Sequence, residues 1–191
     1  MGTSKPSSER DPLERDRELI AAVLDGNLQA FDEIVKTYQR PIFYLSLRML
    51  KNQESADEVT QKTFLKAYRA LEGFQFKSSL KTWLSAIALN LCRTELMRPR
   101  REIVELPEQL PDSTVDDVRE ADEQAHRRHL LEQALAELPA RQKEVVMLRI
   151  YQELPFKEIA QALDSTQSAV KVNFHHAMKS LKDKLGDRYG E

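Results

Sequence analysis

Glycine is scarce in this sequence. There are five in 191 residues, below the ~7% of an average protein, and no two of Gly2, Gly26, Gly73, Gly186 and Gly190 fall at a phosphate-cradling spacing. That excludes Rossmann and P-loop nucleotide sites, which need several glycines in one turn. The single cysteine, Cys92, excludes an internal disulfide framework and a cysteine-cluster zinc site, and suits a reducing compartment. Long apolar runs are missing too: no stretch approaches the ~20 residues that span a bilayer, and residues 1–12 show no signal-peptide core. A cytoplasmic protein is expected. No paired carboxylates or His–acid set recur at a catalytic spacing, and His175 and His176, adjacent on a helix, diverge by about 100° and cannot easily share one ion. The expectation is therefore no enzyme activity, catalytic residue, metal, cofactor or small-molecule substrate.

What is present is helical periodicity. Leu19, Ile20, Val23 and Leu24, then Phe31, Ile34, Val35 and Tyr38, recur at three and four positions, the spacing of a helix with one buried face. Asp25-Gly26-Asn27 ends a first helix, and Pro41 is placed to start a new one. Ser55-Ala56-Asp57-Glu58 has the form of a capping box, with Ser55 as N-cap of a helix running to about Leu71. A further helix follows Ser78-Ser79 and runs to about Met97, where Pro99 forbids extension. Periodicity resumes from His126 through Leu130, Leu131, Ala134, Leu135 and Leu138. No β-type alternation is long enough for a strand.

Charge divides the chain the same way. The total, 29 basic against 31 acidic residues or -2, argues at first sight against nucleic-acid binding. Yet residues 1–100 hold 16 basic against 13 acidic, residues 101–125 hold 2 against 9, and residues 126–191 hold 11 against 9. The expected architecture is all-α. A polar tail (1–15) precedes an N-terminal helical bundle (16–100), and an extended acidic linker (101–125) leads to a C-terminal helix-turn-helix bundle (126–187).

Two segments carry recognition chemistry. Phe156, Ile159, Ala160 and Leu163, a polar break at Asp164–Thr166, then Val170, Phe174, Ala177, Met178 and Leu181 give helix-turn-helix spacing. Asp164 stands where the turn usually prefers glycine, and either Ser165 or Thr166 can cap the second helix. With Val170, Phe174 and Leu181 inward, the outward face holds Ser168, Val172, His175, His176 and Lys179, with Lys171 on the flank. Such a face can enter a major groove; the same periodicity also suits an ordinary helical hairpin. Upstream, Phe74 to Trp83 packs three of thirteen aromatics with Lys77 and Lys81. Aromatics interleaved with cations suit unpaired nucleic acid, whose bases stack while cations track phosphates. Phe74 and Trp83 can equally be core anchors.

In order and spacing these segments resemble a bacterial RNA polymerase sigma factor of the extracytoplasmic-function (ECF) group, sigma-E-like. The resemblance covers about residues 16–185. The segment from Asp57 to Leu71 resembles the family's polymerase-docking helix, which implies contacts of Asp57 and Gln61, supported by Phe64, with the clamp helices of the largest subunit; Lys62 stands where the family usually has an acid. The stretch from Phe74 to Trp83 with Asn90 resembles the loop and helix that read the unpaired minus-10 element, which implies roles for Phe76, Lys77, Ser78, Ser79, Leu80 and Asn90. Phe76 stands where the family commonly has glycine. Leu154 to Leu181 resembles the helix that reads the duplex minus-35 element, which implies Arg149, Ser168, Lys171, Val172, His175 and His176; the family often has arginine where His176 stands. Core RNA polymerase, promoter DNA and a cognate anti-sigma factor, often membrane-bound in the family, are the partners implied. The rival is a conventional operator-binding regulator with an N-terminal sensor or dimerisation domain.

Overall fold

A computed structural model describes residues 11–98 and 118–189, with side chains over 11–98 and 126–186. It divides into two compact units, one built on α1–α4 and one on α5–α8. Among the described residues every regular element is a helix.

The first unit holds α1 (Pro12–Leu24), α2 (Leu28–Leu50), α3 (Gln53–Ala70), a single 3-10 turn (Leu71–Gly73) and α4 (Leu80–Met97). Asp11 caps α1, accepting from the Leu13 amide at 3.1 Å, with Pro12 in the first turn, where its missing N–H removes nothing. Gly26, at φ 94, ends α1 in the left-handed region, and the Asn27 amide closes back on the Ala22 carbonyl at 2.9 Å. The buried face of α2 carries Ala30, Ile34, Tyr38, Ile42, Leu45 and Met49. It packs on α1, α3 and α4.

Two expectations are corrected here. Pro41 lies inside α2 and starts nothing: one i→i−4 bond is forgone, and the buried stripe through Tyr38, Ile42 and Leu45 carries the helix past it. The N-cap of α3 is Asn52, whose Oδ1 accepts from the Ser55 amide at 2.7 Å. Ser55 is therefore in the first turn, and Glu58 pairs with Lys62 one turn on. That ion pair holds the Glu58 carboxyl below its usual range.

The second unit holds α5 (Val118–Ala136), α6 (Ala140–Val146), a π-helical turn (Met147–Tyr151), α7 (Phe156–Ala162) and α8 (Gln167–Tyr189). α8 packs on α5 and α6. The core includes Ala134, Leu135, Val145, Val146, Met147, Leu148, Ile159, Val170 and Ala177. α5 starts at Val118, inside the segment expected to be extended linker. Net charge misleads there, because Glu, Ala and Gln in residues 118–125 are good helix formers whatever their summed charge. Residues 12–15 of the expected polar tail are instead the first turn of α1, because Asp11 caps the helix ahead of its apolar face; the rest of the tail up to residue 10 and the part of the expected linker at 101–117 lie outside the described residues.

Candidate nucleic-acid interface

The chain from Leu71 to α4 is pinned at both ends. The Phe74 amide donates to the Leu71 carbonyl at 3.0 Å, and Ser79 caps α4, its Oγ accepting from the Thr82 amide at 3.2 Å and pairing with the Thr82 hydroxyl at 2.8 Å. Between these anchors Phe76 sits at φ 54, a left-handed conformation rare for a bulky side chain. This is the backbone reason that a glycine suits the position. The Phe76 ring packs against Phe74 with centroids 4.8 Å apart, and Phe74 against Trp83 at 4.9 Å. Phe74 and Trp83 are half-buried, and Phe76 is 37% exposed. The three rings form one cluster at the surface, anchored by its first and last members.

Lys77 is exposed beside it, and Ser78 and Ser79 are half-buried. Leu80 departs from expectation. It is 1% exposed, because the first apolar residue after a cap turns into the core, so no strand can touch it. Asn90 is exposed one face along α4, its Oδ1 accepting from Arg93 Nη1 at 2.6 Å. Its amide N–H groups remain available as donors for a base edge. On α3, Asp57 and Gln61 are exposed and Phe64 is buried. Leu65, 58% exposed, and Tyr68, 44% exposed, continue their stripe at i+8 and i+11 from Asp57. The sequence signal for these two was an apolar pair on a polar helix face.

In the second unit α7 ends in a Schellman turn. Asp164 is at φ 48 and the Ser165 amide donates to the Ala160 carbonyl at 2.9 Å. Thr166 then caps α8, its Oγ1 accepting from the Ala169 amide at 3.1 Å. Ser168, Lys171, Val172, His175, His176 and Lys179 are exposed along α8. Phe174 is half-buried rather than buried, its ring meeting that of Phe156 on α7 edge to face at 5.4 Å. Arg149, in the π-helical turn, donates to the Leu154 carbonyl at 3.1 Å and lies over the Phe156 ring at 5.1 Å. It ties the approach to α7 in place, a role its sequence position did not signal.

The left-handed Asp164 makes a prediction. Asp164→Gly removes the side chain that disfavours this conformation and leaves stability unchanged or raised by up to about 1 kcal/mol. Asp164→Val puts a β-branched residue there and costs about 1–2 kcal/mol or more. Thermal melts of the two variants check the order.

Sequence and fold comparisons follow the same division. Sigma-70 region 2 matches residues 34–102 and sigma-70 region 4 matches residues 128–181. The RNA polymerase sigma-H factor of Pseudomonas aeruginosa is 31% identical over 190 residues, covering 90% of this chain and 94% of that protein. The ECF RNA polymerase sigma factor SigW of Bacillus subtilis is 26% identical over 187 residues, covering 90% and 97%. Among solved structures, CnrH in complex with the cytosolic domain of CnrY superposes with a TM-score of 0.70 at 23% identity, covering 91% of this chain and 98% of that one. The sigma factor RpoE of Bartonella quintana, solved with the anti-sigma factor NepR, gives 0.65 at 16%, covering 83% and 98%. An aromatic, basic loop on one helical unit and a helix-turn-helix on the other, matched in that order, define a transcription initiation factor. The chain belongs to the sigma-70 family of RNA polymerase sigma factors, in its extracytoplasmic-function group. It is a promoter-directing factor, and sigma factors as a class are non-enzymatic.

Proposed function

We propose that three surfaces of this chain divide the work of promoter recognition. Asp57 and Gln61 on α3, with Phe64 beneath them as support, meet the clamp helices of core polymerase. Phe76, Lys77, Ser78, Ser79 and Asn90 take up the unpaired minus-10 strand, and Ser168, Lys171, Val172, His175 and His176 read the duplex minus-35 element. Arg149 adds a phosphate contact beside the last. The observation that carries this assignment is the exposed face of α8, which follows a capped turn inside the segment matching region 4. A groove-reading helix needs that combination of fixed N-terminus and exposed polar face. Base capture supplies the opening step, because stacking returns about 1–3 kcal/mol per base against an unstacking cost of a few kcal/mol.

The chain works in the cytoplasm without chemistry of its own, and an anti-sigma factor is its regulator. The two solved structures compared above are complexes, one with CnrY and one with the anti-sigma factor NepR, which supports a similar partner here. Among the described residues no helix is long and apolar enough to cross a membrane.

Run-off transcription with core polymerase on a pool of random promoters yields a cognate template for testing the sites. On it, Lys171→Ala is expected to lower minus-35 affinity on the order of ten-fold and to reduce the salt slope by about 1. Asn90→Ala leaves closed-complex binding intact and slows opening. Equal promoter activity in both variants and wild type would overturn the site assignments.

A further inference from the structure

Phe76 holds a left-handed backbone that a bulky side chain avoids, so something must stabilise it. One side of its ring meets Phe74. Over the ring lies the Arg17 guanidinium, 5.6 Å from the centroid. Arg17 comes from α1, nearly sixty residues away in sequence, and no motif points to it.

The placement of Arg17 is itself fixed. Its neighbour Asp16 is buried, and both carboxylate oxygens accept from the Tyr38 hydroxyl of α2, at 2.9 and 2.7 Å. Arg15 Nη2 donates to Thr37 Oγ1 at 3.2 Å. These contacts set the rotation of α1 about its axis. α1 also packs on the 3-10 turn that leads into the loop. These contacts hold in place the backbone from which the exposed Arg17 side chain reaches over the ring.

We propose that Arg17 is a positioning residue for minus-10 strand capture, acting through Phe76: its guanidinium stacks on the ring and holds the loop in its left-handed form before any base arrives. This rests on the reading that residues 76–79 and Asn90 take up the unpaired strand. It accounts for a left-handed backbone held by a phenylalanine, because the contact with Arg17 offsets part of the cost of that conformation. Preorganisation of this kind favours binding by reducing the ordering required on capture.

The test is a double-mutant cycle in holoenzyme on a template chosen from the random pool, with 2-aminopurine in the minus-10 element reporting opening. Minus-35 affinity serves as a control, expected to be unchanged in Arg17→Ala, and thermal melts, expected to fall by no more than a few degrees, guard against unfolding. Arg17→Ala is expected to reduce the opening equilibrium two- to five-fold, the factor of an exposed cation–π contact, and Arg17→Lys to recover part of it. In a Phe76→Gly background, with no ring to roof, Arg17→Ala has no further effect. An equal loss in that background overturns the proposal in favour of direct contact between Arg17 and DNA. Normal opening in Arg17→Ala while Asn90→Ala is defective also overturns it. If neither variant alters opening, strand capture by this loop fails, and the role of Arg17 fails with it.

Discussion

Leu148→Ala is expected to unfold a large part of the second unit at physiological temperature and to abolish minus-35 recognition. Leu148 is fully buried in the π-helical turn between α6 and α7, flanked by Val145, Val146 and Met147, all 2% exposed or less. Truncating a buried leucine removes transfer free energy and leaves a cavity, about 2–5 kcal/mol together. A unit of this size buries a smaller fraction of its surface than a large domain, and whole-domain stability is only about 5–15 kcal/mol. The loss is therefore a large share of the margin. Ile150, two residues along the same turn, is 51% exposed, and Ile150→Ala should change stability by no more than about 0.5 kcal/mol. Circular dichroism melts of both variants, alongside binding to minus-35 duplex, separate the cases. Matching behaviour in the two would mean that the turn is not the structural centre its burial indicates. Because the first unit has its own core in Leu45, Leu84, Ala88 and Leu89, the proposed binding of core polymerase by α3 should survive Leu148→Ala.

The parts of this fold that the sequence made legible are those decided by local pattern. Ser79, Met97 and the polar break at Asp164–Thr166 stop or start helices where periodicity and capping chemistry say they should. The misses come from competition between equally good local choices. Asn52 and Ser55 are both capping residues three apart, and the chain uses Asn52, whose side chain accepts from the Ser55 amide. Pro41 reads as a start because its own N–H is missing, yet the buried stripe on either side of it outweighs one lost bond. Leu80 shared a loop with surface cations and inherited their role, although its own chemistry points inward. The contact of Arg17 with Phe76 had no sequence signal at all. It joins an exposed helix residue to a loop far along the chain, and no periodicity encodes such a pairing. The positive φ of Phe76 was not foreseen either; only the resemblance marked the position, as a departure from the family's glycine.

Tyr38→Phe should destabilise the first unit by about 1–3 kcal/mol, and by more at neutral than at acidic pH. The phenol is the donor to both oxygens of buried Asp16, and a buried acceptor stripped of its partner retains the full desolvation penalty. Burial is the main influence on Asp16, raising its pKa above the ordinary carboxylate value, while the hydrogen bond from Tyr38 and the charge of Arg15 act in the opposite direction. Burial also raises the Tyr38 pKa, and the bond to Asp16 adds to the rise, so the phenol stays protonated and able to donate. With its pKa raised, Asp16 in the folded state binds more protons than in the unfolded state over the window between the two pKa values. Its favourable contribution is complete below the unfolded value of 3.8 and is lost as pH rises through the folded one. Removing the phenol raises the folded pKa further and widens that window. The stability difference between Tyr38→Phe and wild type should therefore grow from pH 4 to pH 7. Asp16→Asn keeps an acceptor for Tyr38 without a buried charge, so it should flatten the pH dependence and be neutral or stabilising at pH 7. In the double variant the pH-dependent part of the Tyr38→Phe defect should vanish. Denaturant melts of the four proteins at the two pH values provide the check, and a Tyr38→Phe defect of equal size at both would show that the hydroxyl matters for packing and not for the carboxylate. Because the same pair sets the rotation of α1, Tyr38→Phe should also slow promoter opening at neutral pH in the Phe76 protein, and less so in Phe76→Gly, where Arg17 has no ring to hold.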